Sequence, residues 1–213
     1  MMDVSVSLRK ARSALSPVDA PATVRAPLFQ DLVTGLDDGK RHIVLDLGAA
    51  STAMLALLSR ARCRVEIADF AHFGGIDMLN NAEPGLSLGA AAESWVGEQA
   101  EHDPIDRILC WDLPNYLTLD ALSALMSAIA RRARPGAIAH ALIFYADREM
   151  PDHPRRFIPT PDGELTDYEP RGTPVAAPRY SPEDLRNNMG PFQIDCGRLL
   201  RNGMQEYLFR LAT

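Results

Sequence analysis

The stretch HIVLDLGAASTAMLALLSR, residues 42–60, decides the fold. It opens as a continuous apolar run ending at Asp46, the pattern of a central strand covered by helices on both faces. A turn led by Gly48 follows. TAMLALLSRA then supplies a helix, with Ser51 or Thr52 placed to cap its first turn. CRVEIADF, residues 63–70, reads as a second strand ending at Asp69. A strand, helix and strand in this order close as a right-handed parallel crossover, and open α/β sheets hold their ligands at the carboxyl ends of such strands.

Upstream, PLFQDLVTGLDDGK carries Leu28, Leu32 and Leu36 at helical spacing, with Gly35 and Gly39 marking the end of a short amphipathic helix. Residues 1–26 are small, polar and punctuated by proline, and are expected to form a mobile arm or a loose helix laid on a single domain of residues 27–213.

Downstream, FGGIDMLNNAEPG is turn-rich, and LSLGAAAESWVGEQAEH reads as a helix with Trp95 on its buried side. The regular alternation resumes with IDRILCWD as a strand, LDALSALMSAIARRA as a periodic helix and PGAIAHALIFYA as a strand. Residues 146–180 carry prolines at 151, 154, 159, 161, 170, 174 and 178 and an Asp162-Gly163 turn, so they are read as an insertion or lid. SPEDLRNNM is a helix capped by Ser181, with Glu183 and Asp184 in its first turn. The closing FQIDCGRLLRNGMQEYLFRLA is a hairpin about Asn202-Gly203.

The 213 residues are 46% apolar and 23% charged, the composition of a soluble globular domain, and the net charge is −6 without a basic block. Nucleic acid is therefore not an expected partner. Cys63, Cys110 and Cys196 are odd in number and far apart, which suits buried thiols in a reducing cytoplasm rather than a disulfide frame or a zinc site. No apolar run has the length of a signal-peptide core or a membrane span. The expectation is a cytoplasmic chain with no metal and no membrane partner, a small-molecule substrate, and room for a homodimer.

An alternating strand and helix chain that ends in an antiparallel hairpin resembles the class I S-adenosylmethionine-dependent methyltransferases. The resemblance rests on VLDLG at 44–48, VEIAD at 65–69, IDRILCWD at 105–112, RRARPGAIAHALIFY at 131–145 and the final hairpin. It implies an α/β fold with a doubly wound, mostly parallel sheet of seven strands, the last antiparallel and inserted beside the fifth. It also implies S-adenosylmethionine as cofactor, lying over Gly48 to Thr52, Asp69, Phe70 and the loop after Asp112.

The family's first motif, commonly acid-x-Gly-x-Gly-x-Gly, places Asp46 at the acid and Gly48 at the first glycine. Ala50 and Thr52 stand where the other two glycines belong. The added methyl and branch crowd that contact without closing it, and the methionine carboxylate would lie near the start of the following helix. A pyrophosphate needs closer backbone approach, so a nicotinamide dinucleotide ranks well below S-adenosylmethionine.

Asp69 stands about 20 residues beyond Gly48, the spacing at which a strand-end acid meets ribose hydroxyls. Asp46 either contacts the cofactor or fixes the turn by accepting backbone N–H bonds. The third acid, which in many relatives reads the adenine amine, has no counterpart, because the segment due to hold its strand reads as helix.

Methyl transfer asks the protein for alignment and, where the nucleophile is protonated, for a base, so no catalytic residue is assigned. In the loop CWDLPNYL, Asp112 is a candidate base or orienting acid, Trp111 a candidate aromatic wall, and Asn115 and Tyr116 candidate substrate contacts. Tyr145, at the end of its strand, is a further candidate contact. His140 reads as a core histidine. His153, Arg155 and Arg156 either recognise an anion or solvate the lid. The leading expectation is a methyltransferase acting on a small molecule; the alternative is a catalytically inactive protein of the same fold serving as a ligand-binding or protein-interaction module.

Overall fold

The computed structural model describes residues 22–82, 87–97, 103–168 and 173–212. In chain order the elements are β1 (Ala22–Val24), α1 (Pro27–Thr34), β2 (His42–Asp46), α2 (Thr52–Leu58), β3 (Cys63–Ile67), α3 (Gly75–Asn80), α4 (Leu88–Val96) and β4 (Ile105–Trp111). A 3-10 turn (Leu113–Tyr116) leads into α5 (Leu119–Arg132) and β5 (Ala133–Phe144). The lid then contributes β6 (Glu149–Met150), β7 (Arg156–Pro159), β8 (Leu165–Tyr168) and β9 (Val175–Ala176). The chain ends in α6 (Pro182–Asn188), β10 (Phe192–Leu199) and β11 (Met204–Leu211).

The central sheet has six strands in the order β10-β11-β5-β4-β2-β3. From β3 through β5 the pairing is parallel, whereas β11 is antiparallel to both of its neighbours. The apolar runs are continuous because both faces are covered and successive side chains go to opposite sides. Ile43, Leu45, Ile108 and Cys110 belong to the core under α3 to α6, while Val44, Leu109 and Trp111 belong to the core under α1, α2 and the lid. This is the expected Rossmann-like methyltransferase fold, with the antiparallel strand beside β5, but with six strands in place of seven among the described residues.

The missing strand is the third. Between β3 and β4 the described residues form α3 and α4, and no described strand pairs beyond β3. The cause is local: LGAAAESWV is built of helix formers, Ser87 caps it by accepting from Ala90 N, and Gly97 ends it with φ of 78°. Trp95 packs on Phe70 with ring centroids 5.0 Å apart, which ties α4 over the end of β3.

The amphipathic reading of the first helix holds, with Leu28, Leu32 and Leu36 all buried. Its N-terminus is tied down from an unexpected quarter. Leu28 N and Phe29 N donate to the two carboxylate oxygens of Glu206 on β11, at 3.0 and 2.7 Å. His140 Nε2 lies 3.0 Å from the same carboxylate, and both side chains are fully buried. His140 is thus the core histidine expected of it, part of a cross-sheet helix cap.

Residues 22–24 differ from the loose arm expected over 1–26. They form β1 and add an edge to the lid sheet, whose order is β1-β8-β7; the rest of that arm lies outside the described residues. The lid hairpin turns at Asp162-Gly163, where Gly163 takes φ of 80°, as the sequence suggests. Ser181 and Asp184 form a reciprocal capping box on α6, and the final hairpin turns at Asn202-Gly203 as read. Among the described residues no helix is long and apolar enough to cross a membrane, and no cluster of three or more His, Cys, Asp or Glu side chains could hold a metal ion.

Candidate functional site

The ends of β2, β3 and β4 meet the lid around one cavity of about 200 Å³. Its walls include Asp46, Gly48, Asp69, Trp111 and Asp112 from the sheet side and Pro154, Arg155, Arg156 and Phe157 from the lid. The sheet's hydrogen bonding runs past the strands and holds the loops in register. Leu47 N donates to Leu109 O at 3.0 Å, Ala68 N to Asp46 O at 2.8 Å, and Phe70 N to Leu47 O at 3.0 Å. Asp69 is thereby presented at the crevice.

Asp46 is 3% exposed, and its Oδ1 accepts from Gly48 N at 2.9 Å and Trp111 Nε1 at 2.7 Å. Burial raises its pKa, while these two donors act in the opposite direction. The carboxylate fixes the turn, one of the two roles open to it from sequence, and it also lines the cavity. Gly48 is needed for a different reason from the conformational one: a Cβ there would lie 2.7 Å from Trp111 Cδ1 and 2.8 Å from its Nε1.

Trp111 in turn stacks on Phe157, centroids 5.9 Å apart and planes 16° from parallel, and leans on Phe29 at 5.5 Å. The register between β4 and β5 slips between Leu109 and Trp111, where Trp111 adopts φ of +53°. Asp69 likewise has φ of +41°. Both residues lie in the left-handed region, which costs on the order of 1 kcal/mol or more outside glycine.

Asp112 is fully buried. Its Oδ2 accepts from Arg155 N at 3.0 Å, whereas its Oδ1 has no hydrogen-bond partner among the described residues. Burial pushes this carboxyl up to about 7, against the pull of Arg155. Arg155 bonds Asp167 of the lid sheet at 2.7 Å, and its guanidinium lies 4.9 Å above the Phe144 ring. Arg156 Nη2 donates to Ala50 O at 3.1 Å, latching the lid to the turn after β2. These arginines therefore hold the lid shut, a third role beside anion recognition and loop solvation.

The remaining sequence candidates are placed elsewhere. Ala50 and Thr52 are exposed at the turn and do not line the cavity; Ser51, buried, is the cap of α2, accepting from Met54 N at 3.3 Å. Phe70 turns away into the core, 1% exposed, with Gly75 against its ring. Asn115 is a clamp: its amide donates to Asp112 O and Leu142 O at 2.7 and 2.8 Å and accepts from Phe144 N at 2.9 Å. Tyr116 donates to His153 O at 2.8 Å, and burial raises its hydroxyl well above the ordinary range. Asn115 and Tyr116 line a second cavity, of about 400 Å³, and Tyr145 lines neither.

Phe157 is the wall residue that sequence reading missed. An apolar side chain inside the basic and proline-rich PRRFIP was the available signal. His72, from the turn after Asp69, was also missed.

The sheet order defines a Rossmann-like methyltransferase fold that lacks its third strand among the described residues, with the crevice at the strand ends covered by the β7–β8 hairpin. No protein-family model matches the sequence, and no curated protein matches it in sequence. Among solved structures, the chain is similar to 1,6-didemethyltoxoflavin-N1-methyltransferase of Burkholderia thailandensis, with bound 1,6-didemethyltoxoflavin and S-adenosylhomocysteine. The identity is 18%, the match covers 88% of this chain and 77% of that one, and the TM-score is 0.47. A glycopeptide N-methyltransferase, MtfA, complexed with S-adenosylhomocysteine, is similar at 10% identity over 87% of this chain and 89% of its own, TM-score 0.47. The N-methyltransferase NodS of Bradyrhizobium japonicum, in complex with S-adenosylhomocysteine, is similar at 10% identity over 88% and 87%, TM-score 0.46.

Proposed function

We propose that this chain is a methyltransferase that uses S-adenosylmethionine and acts on a small molecule. The observation that carries the reading is the convergence of Gly48, Asp69 and Asp112, from three different strand ends, on one cavity. A crevice packed solid between them would have favoured the non-catalytic alternative.

The residues present fit the cofactor. Gly48 and Asp69 line the cavity from the ends of neighbouring strands, and Asp112 brings to the same wall a buried carboxylate oxygen without a partner among the described residues. In this reading Asp69 accepts from the ribose hydroxyls, the turn from Gly48 to Ser51 carries the methionine end, and Trp111 with Phe157 forms the aromatic wall. Bound there, the cofactor supplies a sulfonium-activated methyl group. The protein's own work is to keep the acceptor aligned and dry under the lid, and to hold or take up a proton at Asp112.

Calorimetric titration with S-adenosylmethionine and S-adenosylhomocysteine, with a nicotinamide dinucleotide as control, tests this. Micromolar binding is expected, worth about 8 kcal/mol at 1 μM. Asp69→Ala should abolish that binding while leaving the fold intact. No heat and no thermal shift at millimolar ligand would overturn the reading.

A further inference from the structure

The second cavity, of about 400 Å³, adjoins the first, and Ala71 and Pro154 line both. One short turn serves the two: Asp112 and Leu113 line the first, Asn115 and Tyr116 the second. Its walls are apolar at Ile76, Leu117 and Met150. Its neutral polar groups are largely engaged within the protein. Tyr116 donates to His153 O, Tyr180 donates to Leu117 O at 2.6 Å, and Asn80 donates to Tyr116 O and accepts from Thr118 N.

What remains for a ligand is charge that is mainly acidic, with His153 paired to one of the two carboxylates. Asp77 on α3 and Asp152 on the lid are its carboxylates, and among the described residues no lysine or arginine lines it. Asp152 also faces His153, whose Nδ1 lies 2.8 Å from its Oδ1 and whose hydrogen bond lowers the acid's pKa, so it stays ionised. An anionic guest would meet two like charges there, whereas a cation with an apolar body meets complementary charge and greasy walls.

We propose that this second cavity is the acceptor subsite and that it selects a small amine with an apolar body, protonated in solution. The inference rests on the methyltransferase reading above and goes beyond it by naming the acceptor class. The bound ammonium first gives up one proton, with the buried Asp112 carboxylate as the acceptor at the shared turn. The freed nitrogen lone pair then makes the new N–C bond as the S–C bonding pair returns to sulfur, leaving a neutral thioether and a methylated ammonium.

The test is binding by saturation-transfer NMR and calorimetry on the full chain saturated with S-adenosylhomocysteine, using benzylamine against benzyl alcohol and benzoate. Benzylamine should bind in the millimolar range or better, and benzoate should not bind. Asp77→Asn/Asp152→Asn should weaken benzylamine by about fivefold, the scale of two partly screened charges, and leave S-adenosylhomocysteine affinity unchanged. Equal binding of amine and anion, or an indifferent double variant, overturns the acceptor assignment while leaving the cofactor reading in place. Failure of S-adenosylhomocysteine to bind removes both.

Discussion

The indole N–H of Trp111 donates to Oδ1 of Asp46 across 2.7 Å, and the same oxygen accepts the Gly48 amide at 2.9 Å. One carboxylate thus locks the turn after β2 to the bulged end of β4. Trp111→Phe keeps the ring stacking on Phe157 but removes a donor from a buried acid, and should cost about 1–3 kcal/mol in urea denaturation. Gly48→Ala should cost a similar amount, about 1–3 kcal/mol, because the new methyl must push the indole aside. In the second variant the tryptophan emission spectrum should shift as well, and an unchanged spectrum would argue that the turn relaxes by another route.

Asp112 makes stability depend on pH. Its folded value of about 7 lies above the ordinary 3.8, so between those values the folded chain binds more protons than the unfolded one. Its contribution is neutral below about pH 4, turns increasingly unfavourable as pH rises through this window, and levels off above about 7. Asp112→Asn should flatten most of that slope and leave the variant more stable than the parent at pH 8, by on the order of 2–4 kcal/mol. Asp46, shifted in the same direction, retains a smaller slope. Denaturation midpoints from pH 4 to 8 measure both. A variant that loses stability at pH 8 would refute the buried, unpaired state of Oδ1.

The lid should control entry. A cavity of about 200 Å³ is below the roughly 300–1,000 Å³ usual for small-molecule sites, so a ligand of cofactor size must lift the β7–β8 hairpin. Arg156→Ala removes the exposed latch to Ala50 O and should change folding stability by less than about 0.5 kcal/mol. Stopped-flow tryptophan fluorescence should show S-adenosylhomocysteine entering and leaving faster. Unaltered rates would mean that the hairpin is held elsewhere, as by Arg155 and Asp167.

Glu206, opposite Leu142 near the carboxyl end of β5, carries the helix cap beside Trp111. Glu206→Ala leaves the Leu28 and Phe29 amides and His140 without their buried acceptor, and should cost about 3–5 kcal/mol. Glu206→Gln, which retains an acceptor oxygen, should cost less. Thermal melts of the pair separate the two, and equal losses would assign the effect to the missing charge alone.

Local chemistry made several elements legible. Leu28, Leu32 and Leu36 share a helical face, Ser181 with Asp184 writes its own cap, and Asn202-Gly203 admits little but a hairpin. The strand-end acids Asp69 and Asp112 were readable for the same reason, since their place follows from strand length. Phe70 was not: whether the residue after a strand faces the crevice or the core depends on Trp95 and Gly75, which arrive from elsewhere in the chain. Nor was the pairing of residues 22–24 with β8, a contact between segments far apart in sequence and without periodic pattern. The lid's Phe157 reaches the site only through a hairpin fold that no spacing rule anticipates.

Asp69 and Trp111 both sit at positive φ on the rim of the crevice, a conformation that suits glycine far better than either of them. Asp69→Gly should therefore yield a sturdier protein that, on the proposed placement of the ribose, no longer binds the cofactor. A chain selected for resistance to heat alone would drift toward that exchange. If Asp69 holds the ribose as proposed, position 69 is a place where the sequence answers to a ligand before it answers to its own fold.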